Sequence, residues 1–164
     1  MNGTQSIVQH WREAVPNDRL AHLVRDASRA FQKALQIRLA RQGIAFGHWT
    51  FLRILWEKDG VTQKELSDRA GVMEPTTFAA MKAMEAAGYI ERKQLPTNRK
   101  NIYVHLTRKG RALKKSLVPL AVDTNVIAAQ NLPEKDVQTT RRVLLAMIEN
   151  LANDELQPAP QSKP

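Results

Sequence analysis

Residues 62–107 constrain the fold of this chain most, because two short helices and two strands follow one another there. Thr62 and Glu65 have the spacing of a capping box. In such a box the Thr62 hydroxyl accepts from the Glu65 N–H, and the Thr62 N–H donates to the Glu65 carboxylate. Gly71 is expected to end this helix in the left-handed conformation. Pro75 suits the first turn of a second helix, so the order predicts a helix-turn-helix.

The second helix has two unlike faces. Small and apolar residues recur at i, i+3, i+4, i+7 and i+11 and predict a buried stripe of Thr77, Ala80, Met81, Met84 and Gly88. The opposite face carries Thr76, Phe78, Ala79, Lys82 and Ala83. Small, mostly uncharged side chains are unusual on a face that meets only water, and they favour a helix that enters a nucleic-acid groove. An alanine-rich helix packed on its own domain is the alternative for this helix taken alone.

A hairpin is predicted next. Tyr89–Lys93 and Ile102–Leu106 are rich in β-branched and aromatic residues, and Gln94–Asn101 between them contains turn-forming proline and asparagine. Four cations lie on this ribbon, namely Arg92, Lys93, Arg99 and Lys100. By themselves they fit a solvated surface equally well. Beside a groove-sized helix they indicate a wing that grips phosphates, with Arg99 in the minor groove.

Several motifs occur here in one order and at fixed spacings. They are the decapeptide Thr62–Gly71, the run Glu74–Thr77, the segment Met84–Arg92, the wing residues Asn98–Lys100 and the exit Leu106–Arg111. Together they resemble the MarR family of bacterial transcription regulators, with a looser likeness in helix pattern over residues 17–152. The resemblance implies a mainly α-helical chain with a small β-hairpin wing. A winged helix-turn-helix DNA-binding domain would occupy residues 47–107, between dimerisation helices at residues 17–46 and 108–152.

Two positions depart from the family pattern, which often has aspartate before the wing arginine and arginine near the middle of the recognition helix. This chain has Asn98 and Ala79 there. Asn98 can hydrogen-bond but cannot pair as a charge, which leaves open how the wing is held. Without arginine at Ala79, a bidentate contact to guanine is lost. We therefore expect more reliance on thymine methyl groups, contacted by Pro75, Thr76, Phe78 and Ala79.

Composition narrows the class of protein. The 164 residues include 25 Lys and Arg against 16 Asp and Glu, a formal charge of +9, or twice that, +18, for two copies. This excess indicates nucleic acid or an anionic membrane surface as partner. No apolar run approaches the roughly 18–20 residues of a spanning helix and residues 1–5 show no signal pattern, so no membrane partner and a cytoplasmic location are expected. The absence of cysteine excludes disulfides and thiol-based sensing.

Amphipathic helices are expected on both sides of this region. One runs from a cap at Asn17 or Asp18 to near Gly43, and the next carries His48, Phe51, Leu52, Leu55 and Trp56. After the wing, Thr107 caps a helix that Pro119 should bend, and a last helix opens at Pro133, Glu134 and Asp136. Residues 1–16 are interpreted as an N-terminal extension. Residues 153–164, with three prolines, are predicted to be a disordered tail.

Regulators of the family that this chain resembles are often switched by small aromatic or phenolic anions. Candidates for binding one are Trp11, Arg25, Arg29, His48, Trp49 and Trp56. Core packing is the stronger alternative for tryptophans at helical spacing, and solvated or paired arginines are the commoner case. The four histidines are His10, His22, His48 and His105. They are scattered, so neither a metal site nor a cofactor is expected.

The sequence therefore indicates a homodimeric, sequence-specific regulator that binds a palindromic operator in double-stranded DNA, a repressor released by a small ligand. The expected DNA contacts are Gln63, Lys64, Pro75, Thr76, Thr77, Phe78, Ala79, Lys82, Arg92, Arg99 and Lys100, with His105 as a further phosphate candidate. An architectural DNA-binding protein with weak sequence preference is the main alternative. A winged helix used only for protein contact and an enzyme are the others. An enzyme is disfavoured because no nucleophile–base pair, phosphate-binding glycine loop or carboxylate cluster stands out.

Overall fold

The computed structural model describes Gln5, residues 7–9, Trp11, residues 20–96 and residues 98–155, without the side chains of Leu95 and Asn98–Lys100. The expected cap at Asn17 or Asp18, most of the N-terminal extension and residues 156–164 lie outside the described residues. The chain divides into two units, Met1–Asn125 and Val126–Pro164.

Helices dominate the described residues, as predicted. Helix α1 spans Leu20–Ala40 and α2 spans Phe46–Glu57, followed by strand β1 at Val61–Thr62, α3 at Gln63–Ala70 and α4 at Glu74–Ala86. Strands β2 and β3 span Ile90–Leu95 and Asn98–Leu106, and they precede α5 at Arg108–Ala128 and α6 at Glu134–Glu155. The prediction of a mainly α-helical chain with a small β wing is confirmed.

The sheet is larger than the predicted hairpin. It is antiparallel with the order β1-β3-β2, and β1 pairs Val61 with Val104. The predicted loop at Gln94–Asn101 is wrong, because Gln94 pairs with Ile102 and most of that segment belongs to the strands. Continued pairing satisfies backbone N–H and C=O groups that an eight-residue loop would leave to water. A register irregularity between Gln94 and Leu95 precedes the turn.

The core is built around α2. Phe51, Leu52 and Leu55 are almost completely buried, as the apolar stripe predicts. Trp49 and Ile54 of α2 also belong to this cluster, and side chains from the rest of the first unit complete it: Leu39, Ile44, Val61, Leu66, Met81, Met84, Ile90, Val104, Leu106 and Leu117. Truncating a leucine in such a core costs about 2–5 kcal/mol. The helix-turn-helix and the strands therefore share one hydrophobic core.

The two end helices bury little in a single chain. Helix α6 has no buried residue, and the exposed apolar side chains of α1 include Leu20, Leu23 and Phe31. Helix α6 continues to Glu155, so the prediction that disorder begins at residue 153 is wrong there. The first proline of the tail is Pro158, and no helix-breaking residue precedes it after Asn153. Pro119 lies inside α5 as predicted.

Candidate nucleic-acid interface

Helix α3 begins and ends where the sequence predicts. Thr62 has φ −72° and ψ 155°, and its hydroxyl accepts from the Glu65 N–H at 3.1 Å. Gly71 ends the helix at φ 63°, a left-handed conformation that glycine adopts without steric cost. Among the described residues, the Glu65 carboxylate accepts from Lys58 Nζ at 3.0 Å instead of from the Thr62 N–H. One half of the predicted capping box therefore forms.

The inner face of α4 fixes this helix against α3. Thr77, Met81 and Met84 are completely buried, and the Ser67 hydroxyl donates to Thr77 Oγ1 at 2.8 Å. The expected DNA contact of Thr77 is therefore wrong, because its side chain is enclosed by the domain. Gly88 also departs from the predicted stripe, since α4 ends at Ala86 and Gly88 lies in the following turn at φ 72°.

The outer face of α4 is exposed, as predicted. It consists of Pro75, Thr76, Phe78, Ala79, Lys82 and Ala83. Phe78 is 44% exposed, and Lys82 Nζ lies 5.3 Å from the centre of its ring. This face presents chiefly methyl, methylene and ring carbon atoms, with the Thr76 hydroxyl and the Lys82 ammonium as hydrogen-bonding groups. It can therefore approach base edges closely and contact thymine methyl groups.

Arg92 is engaged inside the domain. Its Nη2 and Nε donate to Glu85 Oε2 at 2.6 and 3.0 Å, and its backbone N–H donates to Glu85 Oε1 at 3.2 Å. Hydrogen bonding from Arg92 lowers the pKa of Glu85 below its ordinary value of 4.5. The Arg92 side chain is only 19% exposed. We therefore revise its expected role from a phosphate contact to a link between α4 and the wing.

Of the other three wing cations, Lys93 has a described side chain, whereas Arg99 and Lys100 do not. Lys93 Nζ lies 2.6 Å from Glu91 Oε1, and both side chains are about half exposed. Exposed ion pairs contribute roughly 0–1 kcal/mol, so Lys93 can exchange Glu91 for a phosphate at little cost. Arg99 and Lys100 belong to β3, but their side chains lie outside the described part of the structure. Their predicted phosphate and minor-groove contacts stay predictions.

Three other candidate contacts lie on α3 and β3. Lys64 is exposed on the first turn of α3 and can reach a phosphate. Gln63 differs, because its Oε1 is buried and has no hydrogen-bond partner among the described residues. His105 is partly exposed, pairs in register with Glu91, and lies close to Gly60, where a methyl group would come within 2.9 Å of its ring.

The six candidate ligand residues fall into three local groups. Trp11 Nε1 donates to Asp26 Oδ2 at 3.1 Å, Arg25 Nε lies 3.2 Å from Asp26 Oδ1, and Arg29 adds to the positive field there. These contacts, with the Trp11 hydrogen bond the largest, lower the pKa of Asp26.

The other two groups belong to α2. Trp49 is 7% exposed and meets Trp56 edge to face at 5.8 Å, while Trp56 Nε1 donates to the Gly110 carbonyl at 3.0 Å. His48 lies edge to face against Tyr89 at 6.3 Å, and burial lowers the pKa of His48. The contacts of Trp49 and Trp56 therefore agree with core packing, the alternative to a ligand-binding role.

Sequence reasoning missed two acidic residues that hold the interface together. One is Glu85, described above. The other is Asp59, whose Oδ1 accepts from the N–H groups of Gly60 and Leu106 at 2.9 and 2.8 Å. Its Oδ2 accepts from Arg111 Nη1 at 3.2 Å. An Asp-Gly pair signals a turn, but nothing in the sequence indicates the partners on β3 and α5.

The described residues contain neither a metal site nor a membrane-spanning helix. No group of three or more His, Cys, Asp or Glu side chains there has the arrangement of a metal site. No helix in the same part of the chain is both long enough and apolar enough to span a lipid bilayer.

Comparison with known proteins agrees with this geometry. Residues 47–102 match the sequence model of the MarR family. The HTH-type transcriptional regulator TtmR of Methylorubrum extorquens is 28% identical over 142 residues, 85% of this chain and 68% of that protein. The HTH-type transcriptional repressor Rv2887 of Mycobacterium tuberculosis is 25% identical over 137 residues, 82% of this chain and 94% of that protein.

One similar solved structure contains DNA. It is a putative MarR family transcriptional regulator from Listeria monocytogenes complexed with 26mer DNA. That chain is 25% identical, with a TM-score of 0.73 over 84% of this chain and 91% of its own length. Residues 47–102 therefore form a winged helix-turn-helix domain of the MarR type, and the proteins that this chain resembles over most of its length are named as transcriptional regulators.

Proposed function

We propose that this protein is a homodimeric transcriptional repressor that binds a palindromic operator and leaves it when a small ligand binds. The observation that carries the proposal is the outer face of α4, which is exposed, almost free of charge and shaped by small side chains. Two comparisons support the proposal. One relative is named as a transcriptional regulator and another as a transcriptional repressor, and a structural relative was solved in complex with DNA.

The proposed DNA contacts follow from exposure. Thr76, Phe78, Ala79 and Lys82, with Pro75 at the edge, face the major groove. Lys64 precedes α4 in the sequence and Lys93 follows it. Both are exposed cations that can bind phosphates. Arg99 and Lys100 at the tip of the wing complete the set, with Arg99 entering the minor groove as the resemblance implies.

Dimerisation is supported by apolar surface that a single chain leaves exposed. On α6, Leu144, Ile148 and Leu151 have the spacing of one helical stripe and are 37%, 64% and 66% exposed. An amphipathic helix without buried residues gains stability by pairing, and a twofold pair buries the same surface on both copies. Two recognition helices about 34 Å apart would then match successive turns of a palindromic duplex.

A small effector completes the proposal. Arg25 and Arg29 are exposed cations beside Asp26, the carboxylate that accepts from Trp11 Nε1, and exposed cations near an aromatic side chain are the kind of surface that binds an aromatic anion. The test is to add salicylate to the operator complex of the parent protein and of an Arg25→Ala/Arg29→Ala variant. Release from the parent protein alone supports this part. Equal release from both removes the two arginines from the effector site.

Operator binding has a direct test. Fragments selected from genomic DNA by the purified protein are compared with bulk DNA by fluorescence anisotropy at several salt concentrations. A specific regulator should prefer its operator by about 10³-fold or more, and each phosphate that the protein neutralises contributes about −0.9 to the slope of log affinity against log salt concentration. Lys82→Ala should reduce that slope or the preference, whereas Lys135→Ala, an exposed cation on α6, should change neither. Equal affinity for all duplexes would show an architectural protein instead.

A further inference from the structure

We infer that Arg92 is a positioning residue, which through its pair with Glu85 holds the Phe78 ring against the C5 methyl group of a pyrimidine in the major groove. The inference rests on the proposed function and deepens it by naming the chemical group that the recognition helix reads and the residue that orients the reader.

Phe78 is 44% exposed on the outer face of α4, beside Ala79. Two cations lie within cation–π range of the ring, Lys82 Nζ at 5.3 Å and the Arg92 guanidinium carbon at 5.9 Å. An exposed phenylalanine on a helix normally changes rotamer freely, whereas contacts with two cations restrict this one.

Arg92 is itself held in place by Glu85. Two side-chain donors and the backbone N–H of Arg92 meet the two carboxylate oxygens of Glu85, at 2.6–3.2 Å. Glu85 projects from α4 and Arg92 from β2, so the pair joins the recognition helix to the wing. A planar guanidinium fixed in this way has one orientation, which a lysine ammonium does not reproduce.

A phenylalanine ring held between two cations can recognise an apolar group on a base. In the major groove, the C5 methyl group of thymine is the apolar feature of a base pair, and apolar side chains read it. The outer face of α4 presents the ring of Phe78 and the methyl group of Ala79. A pyrimidine C5 methyl group is therefore the feature for which this face is built, and 5-methylcytosine carries the same group.

The experiment uses the full-length protein and the operator obtained by selection. Each thymine is replaced in turn by deoxyuridine, which removes only the methyl group. At one thymine in each half-site the parent protein should lose about three- to fivefold in affinity, the effect of one methyl-sized contact. Phe78→Ala should bind both duplexes equally. Restoring the methyl group as 5-methylcytosine opposite guanine at the same position should recover part of the difference.

The positioning role is tested by the ratio of thymine to deoxyuridine affinity, which does not depend on the fraction of folded protein. Arg92→Lys and Glu85→Gln should both lower this ratio towards one. Lys93→Ala, which removes a neighbouring exposed wing cation, should weaken both duplexes equally and keep the ratio. Parent-like ratios in both variants, or no sensitive thymine in the parent protein, would overturn the inference while operator binding stands. Failure to select any operator would overturn the proposed function itself.

Discussion

Two adjacent threonines of α4 have opposite surroundings. Thr77 is completely buried and bonded to Ser67, whereas Thr76 is exposed on the outer face. We expect Ser67→Ala to reduce the free energy of unfolding by about 1–3 kcal/mol, because it leaves the buried Thr77 hydroxyl without its 2.8 Å partner. Urea denaturation measures this change.

Thr76→Val is the matched control for that pair. It should change the free energy of unfolding by no more than about 0.5 kcal/mol, since its hydroxyl faces solvent. It should, however, alter operator affinity if Thr76 faces the groove. A large stability loss in Thr76→Val, or none in Ser67→Ala, would contradict the assignment of the two faces of α4.

Gly110 lies on α5, where this helix packs closely against the backbone of Tyr89. A Cβ there would lie 2.0 Å from the Tyr89 carbonyl oxygen and 3.1 Å from Leu106 Cδ2. Gly110→Ala should therefore reduce the free energy of unfolding by at least about 3 kcal/mol, because α5 or β2 must move. Thermal or urea denaturation will show whether it does.

Gly47 provides the contrast for Gly110. It is the second residue of α2, and a Cβ there meets no atom within 4 Å. Gly47→Ala should raise the free energy of unfolding by about 0.5–1 kcal/mol, because alanine loses less backbone entropy in a helix. A stabilising Gly110→Ala would mean that α5 does not pack on Tyr89 as described.

At the scale of elements, the Glu85–Arg92 pair links pH to the attachment of the wing. Arg92 lowers the Glu85 pKa in the folded protein, so the unfolded chain binds this proton at higher pH. The stability that the pair contributes is therefore present above the ordinary value of 4.5 and is lost as pH falls through the lower folded-state pKa. Between pH 5 and 3 the parent protein should lose more stability than Glu85→Gln. Urea midpoints at fixed pH measure both, and parallel curves would show that the pair contributes nothing.

The elements that the sequence predicts well are those with local signals. Thr62, Gly71 and Pro75 mark the limits of α3 and α4 because caps and breakers act on their own neighbours. Strand β1 and the outer half of the wing were missed or assigned to a loop, because strand pairing depends on a partner distant in sequence. Thr62 illustrates both cases, since it caps α3 and also pairs with Tyr103.

The difference between local signals and long-range contacts also explains which features of the candidate site the sequence predicts. Helical periodicity separated the outer face of α4 from its inner face, and the structure confirms the exposure of Thr76, Phe78 and Lys82. Counting cations did not show that Arg92 is bonded to Glu85, because the two lie on different elements joined by a turn. Thr77 is buried because it belongs to the inner stripe, although its neighbour Thr76 is exposed on the outer face.

For the whole molecule, charge is unevenly divided between the two units. Of the 25 cations and 16 acids, 21 cations and 11 acids lie in Met1–Asn125, which contains the winged helix. The unit Val126–Pro164 holds 4 cations and 5 acids and is nearly neutral. The positive charge that the proposed DNA binding requires therefore lies in the first unit, whereas α6 in the second unit has an exposed apolar face.

The last prediction concerns that apolar face. A double substitution, Ile148→Glu and Leu151→Glu, puts two charges on the exposed stripe of α6, where the parent side chains are 64% and 66% exposed. In a single chain this change costs little stability. In a dimer it buries unpaired charge on both copies, so the variant should sediment as a monomer at concentrations where the parent protein is a dimer. It should also lose most of its affinity for the full palindrome while retaining weak binding to a half-site. Glu149→Gln, on the same helix, should leave the dimer intact. A double variant that remains dimeric would place the interface elsewhere.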